Sequence, residues 1–217
     1  MTDQNSNVAA VALLPPAIGL FGLLPSIAIA TSLIKAFSIS VIIALVFIGT
    51  SLVCSLLRNR IAEPWRIPFL LTVSALLTTL LQMNLAAFLF AVYATLGLFV
   101  PLVAVNGLIF TRGLSVAFRR SFLTTLRDAI VLSIGVVLIL TLLGALREFI
   151  AYGSLFAGAE TLFGPQAKDW LWHPLPKKYS FILASMAPGA LILLGLLYAL
   201  KNLIWRGSQP DIPAQPK

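Results

Sequence analysis

Side chains suited to chemistry are scarce in this chain. Its 217 residues include one cysteine, Cys54, and one histidine, His173. A disulfide within the chain and metal sites that need several cysteines or two histidines are therefore excluded, and a serine nucleophile would have only His173 as its base. We find no glycine-rich phosphate loop and no paired-histidine zinc motif. We expect Cys54, which lies in an apolar run, to be a small side chain facing lipid or the core.

A few polar residues lie within otherwise apolar stretches and are candidates for a functional role. Thr31 and Ser32 belong to one such stretch and Asn106 to another, while Gln82 and Asn84 lie toward the end of a third. Such side chains commonly hydrogen-bond their own helix or join neighbouring helices. The alternative is that they line an ion path or a pocket between helices. The sequence leaves both interpretations open.

Acidic side chains are not placed for a proton relay across a membrane. Asp128 and Glu148 flank one apolar run, and we expect both carboxylates to reach the headgroup region from the ends of that helix. The middle of each apolar run contains neither Asp nor Glu. This chain alone is therefore not expected to supply a series of intramembrane carboxylates.

Composition indicates that lipid surrounds most of the chain. Hydrophobic residues make up 59% of it, charged residues make up 10%, and the mean hydropathy is +1.00. A soluble domain carries roughly 25% charged residues, and a helix that crosses a bilayer needs about 20 apolar ones. We predict an all-α polytopic membrane protein, with residues 1–217 forming a single integral membrane domain of about six transmembrane helices. The predicted spans are 9–34, 37–57, 67–87, 96–110, 129–146 and 181–205.

Two of these spans contain prolines and resemble each other. The stretches LFGLLPSIAIATS (20–32) and TLGLFVPLVAVNG (95–107) each place a glycine shortly before a proline. Proline removes a helix hydrogen bond, and the freed carbonyl is tolerated at membrane depth only where protein or a cavity satisfies it. Matching broken helices in two halves of a chain are typical of an inverted repeat with a site between the breaks. Two ordinary kinked helices are the alternative.

The distribution of Lys and Arg predicts that both termini are cytoplasmic. With about six spans, the side that holds the termini carries ten basic residues and the other side five. Those five are Lys35, Arg147, Lys168, Lys177 and Lys178. The net charge of +8 is spread over short connections, so it indicates membrane topology and not nucleic-acid binding. The first ten residues lack the basic region of a signal peptide.

Four stretches carry a resemblance to a known family. They are RIPFLL (66–71), LQMNLAAFLFAVYATLGLFVPLVAVN (81–106), LREFIAYGSLFAGAETLFG (146–164) and APGALILLGLLYALK (187–201). In these stretches, and from about Leu20 to Leu203 as a whole, the chain resembles the membrane-subunit family of the Rnf and Nqr complexes. The resemblance implies six helices with two half-broken helices in an inverted repeat. It also implies a subunit without activity of its own, in the bacterial cytoplasmic membrane, that pairs with a homologous A-type subunit of opposite orientation and with other Rnf/Nqr subunits.

The cluster-binding positions of that family are altered here. In the family, one cysteine on each broken helix joins two from the partner subunit to bind an iron–sulfur cluster, which needs four ligands. The corresponding positions are Leu24, before Pro25, and Gly107, after Asn106. Neither residue type can bind iron through its side chain, and Cys54 lies on another span. We therefore predict that this chain ligates no 2Fe–2S cluster, no other metal and no other cofactor.

Two functions of different classes are compatible with these observations. The first is a membrane subunit of an Rnf/Nqr-type complex that couples electron transfer to Na⁺ or H⁺ movement. The second is a stand-alone transporter or channel-like protein that uses the same scaffold without a redox role. The matching stretches include loops, which a repurposed pore would be freer to lose, so the first function is favoured.

Overall fold

The computed structural model describes residues 24–170, 172, 184 and 186–204, and most of these residues are helical. Within these ranges the α-helices are α1 (Leu24–Ile29), α2 (Leu33–Leu57), α3 (Arg66–Phe88), α4 (Phe90–Leu96), α5 (Phe99–Leu102), α6 (Gly107–Arg112), α7 (Phe122–Tyr152), α8 (Glu160–Phe163) and α9 (Ala187–Ile204). Short 3-10 turns lie at Glu63–Trp65, Val103–Val105 and Pro165–Trp170, and a π-helical turn lies at Gly113–Ala117.

The two longest helices, α2 and α7, pack against each other and form the centre of the described structure. They are antiparallel, because the start of α2 meets the end of α7, where the backbone N–H of Leu33 donates to Glu148 at 2.8 Å. At the other end of the pair, the guanidinium of Arg58 donates to the backbone carbonyl of Arg120. The connections that follow α2 and precede α7 therefore lie on the same side.

A glycine lets α2 and α7 approach closely. A Cβ built on Gly144 would overlap the Cβ of Ala36 and would lie 2.8 Å from the carbonyl oxygen of Ser32. Small residues at helix contacts are the usual way in which helices pack in lipid. The core around this contact also includes side chains from α3, α4 and α5. Its fully buried members include Ile39, Ile43, Phe47, Leu70, Leu96, Val100, Leu140 and Leu143.

The fourth predicted span is a series of short helical pieces. α4 ends at Gly97, whose φ of +47° favours glycine. α5 contains Pro101 and leads through a 3-10 turn to Asn106, after which α6 begins. The π-helical turn then brings Gly113 against Leu70 of α3, where an added Cβ would overlap the leucine side chain. The predicted span 96–110 thus contains both a glycine with positive φ and a helix break.

Four helical stretches in the described part of the chain are long and apolar enough to cross a membrane. They are Leu33–Leu57, Glu63–Phe88, Phe99–Ala117 and Phe122–Tyr152. Apolar side chains along them face outward; Leu76 is 58% exposed and Leu138 is 65% exposed. Such an apolar exterior suits lipid and would be unusual in a soluble monomer. The prediction of an all-α polytopic membrane protein is confirmed.

Two predicted spans, 9–34 and 129–146, differ in their bounds from the helices of the structure. The described part of the predicted span 9–34 is broken between Ile29 and Leu33. The predicted span 129–146 belongs to a helix of 31 residues that begins at Phe122 and ends at Tyr152. It is longer because charged residues near both ends lower the local hydropathy without ending the helix. The actual stop is Gly153, which adopts a left-handed conformation with φ of +62°.

The connection after α7 carries exposed aromatic residues. Leu155 and Trp172 form one isolated antiparallel bridge, with α8 between them in sequence. Trp170 is 54% exposed and Trp172 is 61% exposed, as suits residues at a membrane interface. His173 and Tyr179 lie outside the described residues.

Candidate functional site

The first helix break lies between α1 and α2. Ser32 is the N-cap of α2, with an extended backbone and a hydroxyl that accepts a long hydrogen bond of 3.4 Å from the N–H of Lys35. Thr31 is half-buried, and its N–H donates to the carbonyl of Ile29 at 2.6 Å. Pro25 lies within α1, so the break follows the proline and does not coincide with it.

The second break lies between α5 and α6 and is also capped. The buried side chain of Asn106 accepts a hydrogen bond from the N–H of Leu108 at 2.9 Å and is the N-cap of α6. One carbonyl in this break, that of Ala104, accepts a hydrogen bond of 2.8 Å from the hydroxyl of Ser74 on α3. These contacts give Ser32 and Asn106 a capping role. A role for Thr31, Ser32 and Asn106 in an ion path stays a prediction.

The two broken segments meet in the structure, since α1 packs against α5. α1 also contacts α9, so it lies among elements from both halves of the chain. The sequence predicted a meeting of the breaks only from the repeated pattern of glycine and proline. The residues that hold the first break, however, come from a third element.

Arg147, on α7, is fully buried beside the first break. One terminal nitrogen, NH1, donates to the carbonyl oxygens of Ile27 and Ala30 at 2.7 and 2.8 Å. Its Nε donates to the carbonyl of Ala184 at 3.0 Å, and NH2 donates to that of Met186 at 3.2 Å. The guanidinium therefore joins the end of α1 to the residues that precede α9. At the end of α1 it satisfies backbone carbonyls that lack intrahelical partners.

Glu148 is also fully buried, which corrects the prediction that its carboxylate reaches the headgroups. Its two oxygens accept hydrogen bonds from the backbone N–H groups of Leu33 at 2.8 Å and Ala157 at 2.7 Å. Leu33 is the first residue of α2, where a negative charge is favoured by the free N–H groups. Asp128 has a side chain that is 30% exposed and lies 3.8 Å from Arg112, and its contact with the headgroups stays a prediction.

Two adjacent residues of α7 thus satisfy backbone groups on both sides of the first break, which separates α1 from α2. Arg147 meets carbonyls at the end of α1, and Glu148 meets an N–H at the start of α2. The sequence analysis missed this pair because it placed the end of the span at Leu146. The available signal was the motif LREFIAYG, in which Arg and Glu are flanked on both sides by apolar residues.

Further buried polar groups lie on α2 and α7 and were not predicted. Ser38 and Ser40 donate to carbonyls of their own helix, each at 2.8 Å. Other hydroxyls are buried without a hydrogen-bond partner among the described residues. These are on Thr50, Ser55, Thr125, Ser133 and Thr141. The interior of the helix bundle therefore contains hydroxyl groups as well as apolar side chains.

The positions that correspond to the family's cluster ligands do not suit a cluster. Leu24 is the first described residue of α1, and Gly107 is the first residue of α6. A leucine side chain is purely hydrocarbon and glycine has none, so neither supplies the thiolate that an iron–sulfur cluster needs. Cys54 is buried on α2. Among the described residues, no group of three or more His, Cys, Asp or Glu side chains could hold a metal ion.

Buried irregular backbone satisfied by neighbouring helices defines a class of polytopic membrane protein with helix breaks inside the protein. The sequence model of a family described as Rnf-Nqr subunit, membrane protein, matches residues 9–198. The chain belongs to this family.

Individual relatives agree with the family assignment. The chain is 37% identical over 198 residues to the E subunit of the ion-translocating oxidoreductase complex of Shewanella oneidensis, covering 90% of this chain and 85% of the relative. It is 36% identical over 205 residues to the protein of the same name from Shewanella baltica, covering 93% and 88%. The corresponding protein of Shewanella putrefaciens is 35% identical over 205 residues, with the same coverage of 93% and 88%.

Proposed function

We propose that this chain is a membrane subunit of an Rnf/Nqr-type complex that couples electron transfer to the movement of Na⁺ or H⁺ across the membrane. The observation that supports this most is the similarity to the Shewanella proteins over nearly the full length of both chains. Proteins that share a scaffold only in part would not match through both the spans and the connections. The chain acts as a non-catalytic subunit, and its partners are a homologous A-type membrane subunit and the other subunits of the complex.

The complex lies in the bacterial cytoplasmic membrane with both termini of this chain in the cytoplasm. The positive-inside rule supports this orientation. Arg147 is buried within α7 and does not count as a loop charge. Without it, the side opposite the termini has four basic residues against ten.

The chain contributes no ligand to a 2Fe–2S cluster. This follows from the residue types at Leu24 and Gly107, where the family pattern places cysteines. A partner that brings two cysteines would then hold half of a site, and a weak oxygen ligand in lipid would be a poor replacement. The subunit's contribution is therefore to the scaffold or the ion path of the complex.

Assembly is tested by purifying a tagged chain in a mild detergent from cells that express the full set of subunits. We expect an A-type membrane subunit and further subunits to co-purify in fixed proportion. Gly107 is mutated to Leu to ask whether this small residue of the second broken segment faces the partner. Recovery of the chain alone, as a folded monomer with transport activity in vesicles, would support a stand-alone transporter and overturn the proposal.

The missing cluster is tested on the anaerobically purified pair of membrane subunits. We expect less than stoichiometric iron and acid-labile sulfide, and no EPR signal from a cluster between the two membrane subunits. The variant Leu24→Cys/Gly107→Cys should gain iron and sulfide if the partner keeps its own two cysteines. A stoichiometric cluster in the unmodified pair would contradict the proposed absence while leaving subunit assembly intact.

A further inference from the structure

Four backbone carbonyl oxygens converge on the buried guanidinium of Arg147. We call these oxygens of Ile27, Ala30, Ala184 and Met186 the carbonyl cradle. Two of them, those of Ile27 and Ala30, lie within 2.8 Å of the same nitrogen atom. The cradle is completely shielded from solvent at this side chain, which has no exposed surface.

The chemistry of the cradle is that of a cation site. The carbonyl oxygens of Ile27 and Ala30 lie at the C-terminal end of α1, where helix carbonyls carry partial negative charge and the last ones have no intrahelical partners. Ala184 and Met186 precede α9, and the Met186 carbonyl also accepts a hydrogen bond from the N–H of Ala190. In membrane proteins with broken helices, unwound carbonyls and helix C-terminal ends coordinate monovalent cations. The nearest carboxylate in sequence, Glu148, is engaged by the N–H groups of Leu33 and Ala157. A cradle of neutral oxygens favours a singly charged cation over a divalent one, which prefers carboxylates.

We propose that the carbonyl cradle is a monovalent-cation site whose occupant is part of the chain. The guanidinium of Arg147 takes the position that a free Na⁺ or K⁺ would otherwise hold. Because arginine stays protonated and is covalently attached, no dissolved ion can displace it at ordinary concentrations. The first helix break is thereby closed to ions.

In the second break, a neutral group donates to a backbone carbonyl. Its carbonyl at Ala104 is satisfied by the neutral hydroxyl of Ser74, at 2.8 Å. A neutral donor can compensate a single carbonyl, whereas the four carbonyls of the cradle lie around a positive charge. The built-in cation therefore belongs to the first break, and the guanidinium and the four carbonyls all belong to this chain.

The test is to empty the cradle with Arg147→Ala in the purified full-length chain. Thermal unfolding in detergent is followed in choline chloride, and part of the choline is then replaced by NaCl, KCl or low millimolar guanidinium chloride at constant ionic strength. We expect the melting temperature of the alanine variant to rise in a saturable way with at least one small cation. At about one hundred times its Kd, a bound cation should raise Tm by about 5–10 °C. The wild-type chain should show no cation-specific rise.

Three matched variants separate a cation site from general destabilisation. Arg147→Met removes the charge but fills the space, so it should be destabilised and should not respond to cations. Arg147→Lys keeps a cation in the cradle and should also not respond. Arg112→Ala removes an arginine whose side chain is 41% exposed and should melt close to the wild type without a cation effect.

Two results would overturn the proposal. One is an Arg147→Ala variant that melts at the same temperature in choline, Na⁺, K⁺ and guanidinium. The other is an alanine variant that stays unfolded in all four, because a true cation site would be refilled by a dissolved cation and would permit folding.

Discussion

The carboxylate of Glu148 accepts a hydrogen bond of 2.8 Å from the backbone N–H of Leu33, although 115 positions separate the two residues in the chain. The contact ties the end of one transmembrane helix to the start of another. It places the carboxyl group of Glu148 at the start of α2, where the first N–H groups have no intrahelical partners. Its removal should therefore affect the stability of the whole protein and not only that of one loop.

Replacing Glu148 with alanine should destabilise the protein strongly. The N–H groups of Leu33 and Ala157 would lose their acceptor inside the protein, and the expected loss is about 3 kcal/mol in the free energy of unfolding. This corresponds to a decrease in Tm of roughly 6–12 °C for a chain of this size. Differential scanning fluorimetry of the detergent-purified chain measures the change.

The control for this prediction is Asp128→Ala on the same helix. Asp128 is partly exposed and lies 3.8 Å from Arg112, so its removal should change the free energy of unfolding by less than about 1 kcal/mol. Glu148→Gln, which keeps one acceptor oxygen, should fall between the two. Equal melting temperatures for the two alanine variants would contradict a special role for Glu148.

A side chain at position 144 should force α2 and α7 apart. Gly144→Ala places a Cβ against the Cβ of Ala36 and the carbonyl of Ser32, and such overpacking costs about 1–3 kcal/mol. Gly135→Ala, on the same helix, meets no atom within 4 Å and should be neutral or slightly stabilising. Adding Ala36→Gly to Gly144→Ala should recover part of the loss. Thermal unfolding of the wild type and these three variants measures the effects. Equal effects of the two glycine substitutions would contradict the close approach of α2 and α7.

Asn106 should be replaceable by other helix caps. Asn106→Ala removes the acceptor for the N–H of Leu108 and should destabilise by about 1 kcal/mol, whereas Asn106→Ser and Asn106→Asp should keep most of the stability. Asn84→Ala is the control, because that side chain is exposed and only donates to its own helix. Na⁺-dependent transport by the complex, measured on the same variants, tests the ion path separately. Transport that is lost in the serine variant while stability is kept would assign Asn106 to that path.

The single buried cysteine makes the orientation measurable. Cys54 has no exposed surface, so a membrane-impermeant maleimide should not label the native chain. Asn59→Cys adds a thiol in the exposed connection after α2, and Glu160→Cys adds one on the opposite side, beyond α7. We expect Asn59→Cys to react only when the cytoplasmic face is accessible, as in inverted vesicles. Glu160→Cys should react in intact spheroplasts. The reverse pattern would overturn the proposed orientation.

Local sequence predicted the helices well where a single apolar run decides the structure. The run from Phe37 to Leu57 has no proline or charge, and it forms most of α2. The polar residues Ser32 and Asn106 were also identified, because both interrupt apolar stretches. In these cases the residue and its structural cause lie within a few positions of each other.

The buried pair of Arg147 and Glu148 could not be predicted from the local sequence. Hydropathy treats Arg147 and Glu148 as the end of a span, since a charge in lipid is unfavourable unless partners satisfy it. Several of those partners are backbone groups of the first break, such as those of Ile27 and Leu33, which lie more than a hundred positions away. Their hydrogen-bonding groups are free only because the helix is broken there. Local hydropathy contains no information about such distant backbone groups. The predicted span was therefore shorter than α7, and Glu148 was predicted to lie at the headgroups.

The long separation within the chain also has a consequence for biosynthesis. The ribosome completes the break after α1 well before it makes Arg147, which follows Ala30 by 117 positions. During that interval the free carbonyl and N–H groups of the break lack their final partners, and lipid cannot supply any. The first helices can therefore reach their final depth and packing only after α7 has entered the bilayer. Correct insertion of the first helices therefore depends on the second half of the chain. In a nascent chain that stops before residue 147, the first helices lack their final position and contacts in the membrane.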